Sequence, residues 1–188
     1  MPDLWLARHA IPLVPPGTCY GRSDLAADPD ATGRAAQGLA QALPADLHII
    51  TSPLQRCEHL ALILQALRPD LTCETEPRIA EMDFGAWEGQ PWAELPPAEL
   101  AAWTDDFADY RTGATGESVR GFMLRVEAAL EHWQAHQRVT GRCLLWVTHA
   151  GVERAVRLLQ QGIPCPAQAR EWPRQGLDFG AWTRLAAR

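Results

Sequence analysis

The chain contains no lysine; all 17 basic residues among its 188 are arginine. That absence excludes a Walker A phosphate loop, a Schiff-base enzyme and the strand lysine of a kinase, because each needs an ammonium group. It also disposes of Asp83-Phe84-Gly85 and Asp178-Phe179-Gly180 as kinase triplets, since nothing is left to position ATP. Cysteine is sparse and scattered. Cys19, Cys57, Cys73, Cys143 and Cys165 are odd in number and form no C-x-x-C, so neither a disulfide framework nor a zinc ribbon is expected. They read as reduced, buried thiols. No apolar run is long enough to span a bilayer, and no basic segment followed by an apolar stretch opens the chain. No membrane partner is expected, and the expected compartment is the cytoplasm. The net charge of -6 argues against general nucleic-acid binding, which rests on neutralising phosphates. A local cluster of arginines for one small phosphate is still compatible with it.

Length predicts one domain, residues 1–188. Leu4-Trp5-Leu6-Ala7 and Cys143-Leu144-Leu145-Trp146-Val147 read as short buried strands. Leu47-His48-Ile49-Ile50 and Thr72 to Glu76 read as two more, and residues 176–185 as an edge strand. Thr32 is placed to cap a helix over residues 33–43. Ser52 and Pro53 suit the cap and first position of a helix running to residue 67. Further helices are expected at 96–110, from Gly116-Glu117-Ser118 to 137, and at 152–161. The alternation predicts a three-layer α/β/α sandwich on a mostly parallel sheet. Residues 81–115 are expected to cover the pocket. Edge pairing offers a route to a homodimer, although no periodic interface is legible.

Ligands of open parallel sheets bind beyond the carboxyl ends of the strands. Arg8-His9 ends the first apolar run, and His149-Ala150-Gly151 ends the last. Two histidines remote in sequence thus converge on one surface. Arg56, in the first turn of the helix after Ser52, points to the same place, where a helix N-terminus favours an anion. An imidazole nucleophile framed by cations suits phosphoryl chemistry. The loop through Tyr20-Gly21 lies above the first strand end, a good location for ligand contacts. Three carboxylates compete as proton donor: Glu81, Asp83 and Glu88. Residue chemistry alone does not separate them, although Glu81 is the best placed. His132 and His136 have metal-pair spacing but neither a zincin glutamate nor a third ligand, so no metal site is expected there.

These residues resemble the motifs of the histidine phosphatase, or phosphoglycerate-mutase-like, superfamily. Arg8-His9 is similar to the start of its R-H-G signature, and Thr51-Ser52-Pro53-Leu54-Gln55-Arg56 to its S-P-L-x-R segment. Glu81 with Gly85-Ala86-Trp87-Glu88-Gly89 resembles its acidic loop, Gly116-Glu117-Ser118 its G-E-S, and His149-Ala150-Gly151 its H-x-G. The resemblance implies a phosphoglycerate-mutase-like fold and a metal-independent, cofactor-free phosphomonoester hydrolase. His9 would become a phosphohistidine, and Glu81 would be the general acid and base. Arg8, Arg56 and His149 would bind the phosphoryl group, with Tyr20, Gly21 and Ala150 as further substrate contacts. Two departures stand out. Ala10 replaces the usual glycine, and Pro15-Pro16 lies where many members carry a phosphate-touching asparagine, whose contact would fall to the Tyr20-Gly21 turn. The short chain favours a phosphatase over a phosphoglycerate mutase. The pattern is similar to that of compact bacterial α-ribazole-5′-phosphate phosphatases of cobalamin assembly, whose flat base would suit Trp87, Trp92 and Trp103. Broad-specificity, sugar-phosphate and phosphohistidine-protein phosphatases are alternatives, as is a non-catalytic phosphate-binding protein that Ala10 would mark.

Overall fold

The computed structural model describes residues 3–185. Its strands are β1 (Leu4–Arg8), β2 (His48–Thr51), β3 (Thr72–Thr75), β4 (Leu144–Thr148) and β5 (Trp182–Leu185). They form one sheet in the order β3-β2-β4-β1-β5. All neighbours are parallel except β5, which runs antiparallel to β1 at the edge. The helices are α1 (Pro29–Ala42), α2 (Gln55–Leu67), α3 (Pro97–Asp105), α4 (Val119–Thr140) and α5 (Ala150–Gln160).

The period of two along β4 divides the core. Leu145 and Val147 face α1 and α2, packing with Ala36, Leu39, Leu60 and Leu64. Leu144 and Trp146 face the opposite side, with Phe122 and Val126 of α4 and Val152 and Val156 of α5. Every residue of β4 is buried, which is why a central parallel strand reads as an unbroken apolar run. The expected three-layer sandwich is the observed architecture. No helix among the described residues is long and apolar enough to cross a membrane.

Two helix starts differ from expectation. α1 begins at Pro29, capped by Asp28, whose carboxylate accepts the Ala31 N–H at 2.7 Å. Thr32 lies inside the helix and its hydroxyl donates back to the Asp28 carbonyl. An aspartate followed by proline outcompetes the threonine, since both cap and first position are better matched. α2 begins at Gln55 after an extended Leu54, without a side-chain cap. Ser52 is therefore released from capping. The 96–110 helix is shorter than expected, ending at Asp105. By contrast, Ser118 caps α4 through Gly121 N–H as its motif suggests.

Strand pairing brings the chemistry-bearing residues together. Arg8 is opposite Thr148 and Thr51 opposite Val147. His9, Ser52 and His149 consequently follow three adjacent strands at the same sheet end. The edge is closed by Trp182, whose indole packs on α1 where Gly38 leaves room; a Cβ there would lie 2.7 Å from the ring. Gly33, on the same helix, has no neighbour within 4 Å of such a Cβ. Gly38→Val is therefore expected to cost about 1–3 kcal/mol through overpacking, whereas Gly33→Ala gains about 0.5–1 kcal/mol from helix propensity. Urea denaturation of both variants checks the contrast; equal shifts would contradict the packing role of Gly38.

Candidate active site

His9 is buried, and its Nδ1 lies 2.7 Å from the Ala10 carbonyl oxygen. A carbonyl only accepts, so Nδ1 carries the proton and Nε2 keeps its lone pair. Arg56 Nε–H donates to that Nε2 at 3.3 Å. Burial first, then the charge of Arg56, lower the His9 pKa to about 3; the Ala10 bond opposes them, and the Arg8 charge adds a smaller lowering. Ala10 is buried without a left-handed φ. Its backbone conformation thus makes no demand for glycine, and the methyl group introduces no backbone strain.

Arg56 is fully buried, with no carboxylate within 4 Å among the described residues. Its two terminal nitrogens donate to the carbonyls of Gly21 at 2.5 Å and Ser23 at 2.7 Å. Gly21 reaches this position because it has no side chain; a Cβ there would collide with the Met82 carbonyl. Gly21 therefore orients Arg56 and lies outside the cavity wall, whereas Tyr20 lines it. Arg8 donates from Nη1 to the Leu177 carbonyl at 2.7 Å, and its guanidinium stacks 3.7 Å from the Phe179 ring centroid. Burial depresses its pKa, partly opposed by the nearby Tyr20 and Glu81. His149 follows β4 and is the N-cap of α5. Its ring is 5.1 Å from that of His9, and its Nε2 shares a 2.8 Å hydrogen bond with Ser52 Oγ. Burial, then Arg56, holds His149 well below the ordinary imidazole pKa. The serine read as a helix cap is instead a partner of the second histidine.

The three carboxylates now separate. Glu81 lines the cavity with Arg8 and His9. It accepts the Gly151 N–H at 3.0 Å and its neighbour Met82 N–H at 3.1 Å. Gly151 makes the approach feasible, since a Cβ there would lie 2.1 Å from Glu81 Oε1. Asp83 instead accepts the Gly85 N–H. Glu88 faces the Tyr20 loop, accepting the N–H groups of Arg22, Ser23 and Phe84 and the Ser23 hydroxyl. Burial pushes Glu88 up, but those hydrogen bonds outweigh it and hold the carboxyl below its ordinary pKa. Neither rival lines the cavity. Glu117 of the G-E-S segment grips Arg125 through both oxygens, and Arg125 donates to the carbonyls of Arg78, Ala80 and Glu81. Their role is to hold the backbone that presents Glu81.

The cavity measures about 530 Å³. Arg8, His9, Tyr20 and Glu81 form its polar end, next to Ala150, and Phe84, Trp92, Trp103, Phe107, Phe122 and Trp172 its aromatic wall; Arg56 and His149 are fully buried and do not line it. Of the three tryptophans expected to cover it, Trp92 and Trp103 do. Trp87 is buried elsewhere, donating to Glu99 at 2.6 Å. Pro15 and Pro16 do not line the cavity, whereas Thr18 does. Sequence reasoning missed Phe179, Trp172 and Arg154. The triplet Asp178-Phe179-Gly180 was visible, but no spacing rule ties it to Arg8. Arg154 had a legible signal: it follows Gly151 by three residues, so both share one face of α5.

The model of the histidine phosphatase superfamily (branch 1) matches residues 4–185. No curated protein matches the chain by sequence. Among solved structures, the chain is similar to a mycobacterial glucosyl-3-phosphoglycerate phosphatase at 24% identity and a TM-score of 0.80, covering 100% of this chain and 91% of that one. It is similar to the α-ribazole phosphatase of Shigella flexneri at 24% identity and 0.80, covering 99% and 91%. The protein TTHB049 of Thermus thermophilus aligns at 26% identity and 0.70, covering 97% and 92%.

The depressed His9 pKa has a thermodynamic consequence. The unfolded chain binds a proton at His9 below about pH 6.5, the folded chain only near pH 3. Acidification across that window therefore favours unfolding. His9→Gln is expected to lose stability less steeply than wild type between these values, by up to about 1.4 kcal/mol per pH unit. Denaturation series at several pH values test it; parallel slopes would show that His9 is not held neutral.

Proposed function

The chain belongs to the histidine phosphatase superfamily, branch 1, a family of phosphatases; we propose that it hydrolyses small phosphomonoesters without a metal, through a phosphohistidine on His9. The observation that carries this is the His9 ring. Its Nδ1–H is tied to Ala10, so Nε2 is unprotonated; that lone pair accepts the Arg56 Nε–H, and the cavity His9 lines also holds Glu81.

In the proposed reaction Nε2 attacks phosphorus, and the bond to the ester oxygen breaks. Arg8, Arg56 and His149 stabilise charge on the transferring oxygens. Glu81, entering as the acid, gives its proton to the departing oxygen. A water then attacks the phosphohistidine while Glu81 takes its proton. The N–P bond breaks, returning the pair of electrons to Nε2, and inorganic phosphate leaves. Fixing the tautomer at Nδ1 ensures that the attacking nitrogen needs no prior deprotonation. Arg56 Nε–H, now on Nε2, must turn to phosphate when substrate enters.

A binding protein without catalysis would need the arginines but no carboxylic acid in the cavity, so the placement of Glu81 favours turnover. The cavity volume suits a small metabolite. Its aromatic wall suits a leaving group with a flat apolar face. α-Ribazole 5′-phosphate has such a face, and the Shigella flexneri neighbour is an α-ribazole phosphatase. It therefore heads the substrate panel.

Phosphate release from p-nitrophenyl phosphate in excess chelator is expected from wild type and abolished in His9→Ala. Glu81→Gln is expected to lose about 10²–10⁴ in kcat with alkyl phosphates, and much less with p-nitrophenyl phosphate, whose leaving group needs little protonation. Full turnover by His9→Ala would overturn the mechanism. An equal loss on both substrates would remove Glu81 as the acid.

A further inference from the structure

The proposed reaction leaves two cavity arginines without a task. Arg154 of α5 and Arg174 line the cavity beside Arg8. The same three residues also line an adjoining recess of about 450 Å³, bounded by Gly176 and Asp178. The two spaces therefore meet at a cluster of guanidinium groups. Elsewhere among the described residues, eight arginines lie within 4 Å of a carboxylate; Arg154 and Arg174 do not. Arg154 donates from Nη2 to the Arg174 carbonyl at 3.3 Å, while its Nε is buried without a partner. The neighbouring Glu153 is turned to Arg157. Gly176 keeps the approach open, since a Cβ there would sit 3.0 Å from Arg154 Nε. The acids nearby are Glu153, Glu81 and Asp178. Glu153 Oε2 would lie 3.1 Å from the same Cβ of Gly176 but is not within 4 Å of Arg154; Glu81 is held by backbone N–H groups, and Asp178 is on the recess wall. Two cations in a cavity walled by rings, with an unfilled donor, match a second anion carried by a flat molecule.

We propose that Arg154 and Arg174 form a second anion subsite, which binds a carboxylate or second phosphate on the leaving group of the phosphomonoester. This rests on the reaction proposed above for the scissile phosphate. The subsite sorts substrates by charge. An uncharged nucleoside such as α-ribazole leaves both arginines unfilled, whereas an anionic leaving group engages them in addition to the residues that take the scissile phosphate.

The test compares benzyl phosphate with 3- and 4-carboxybenzyl phosphate and with the corresponding benzyl bisphosphates. Wild type is expected to favour at least one doubly anionic compound by about tenfold or more in kcat/KM, as one charged hydrogen-bonded contact implies, mainly through KM. The Arg154→Gln/Arg174→Gln variant is expected to bring that ratio to about 1. The exposed Arg174→Gln alone reduces it, which keeps the test informative if the double variant fails to fold. Comparing the carboxylate and bisphosphate arms identifies the preferred anion. Calorimetric binding of the matching benzylphosphonates to wild type and the arginine variants reads the same preference without turnover. Turnover with no charge preference overturns the subsite and leaves the reaction standing. A phosphonate preference that needs the arginines, without turnover of any ester, overturns the reaction and supports the subsite. A preference that survives in the double variant overturns the subsite.

Discussion

Arg56 is a fully buried cation with no carboxylate counter-ion among the described residues, and the organisation of the site follows from that arrangement. A buried charge is costly unless polar groups replace its water. Here two loop carbonyls and the imidazole of His9 do so. Bonding to Gly21 and Ser23 fixes the loop after β1, while the bond from Nε reaches His9. The positive charge also lowers the proton affinity of His9 and, after burial, of His149. These donors point at carbonyls and a lone pair rather than at a carboxylate, an arrangement compatible with the phosphoryl group of the proposed reaction. The same feature that is expensive for folding thus prepares the pocket for an anion.

Around this cation the carboxylates are sorted by backbone hydrogen bonds. Glu88 is consumed in bracing the Tyr20 loop and Glu117 in gripping Arg125. Arg125 in turn gathers three carbonyls that lead into Glu81. Two acids and an arginine therefore work as framework, so that one acid faces the cavity with the histidine. Gly151 completes the arrangement, because the first turn of α5 can offer its N–H to Glu81 only without a side chain. The acid and the second histidine are coupled through a single helix start.

The far side of the cavity is built differently. Rings from the 84–107 segment and from the C-terminal region close a space whose polar end is made at the strand termini. Phe179 stacks on Arg8, and Leu177 supplies the carbonyl that aims it. The backbone of the tail bonds to His9 and Arg8 as well, through Gly180 N–H and the Ala181 carbonyl. The segment that leads into β5 is accordingly part of the frame that holds Arg8 and His9.

The order of strands and helices, the burial of β4 and the convergence of Arg8, His9, Arg56 and His149 were legible in the sequence, because hydrophobic period and strand ends are local properties. The cap of α4 at Ser118 was legible for the same reason. The choice among Glu81, Asp83 and Glu88 was not, since it depends on which backbone N–H groups each carboxylate meets in space. The partners of Ser52, the role of Gly21, the tail contacts of Arg8 and the lack of a carboxylate beside Arg154 and Arg174 were likewise decided by tertiary structure. Each joins residues far apart in the chain, and pattern along the chain has no term for such contacts. Sequence by itself determined the elements and the chemical class of the site; only packing decided which side chains are used up as framework and which remain free to meet a ligand.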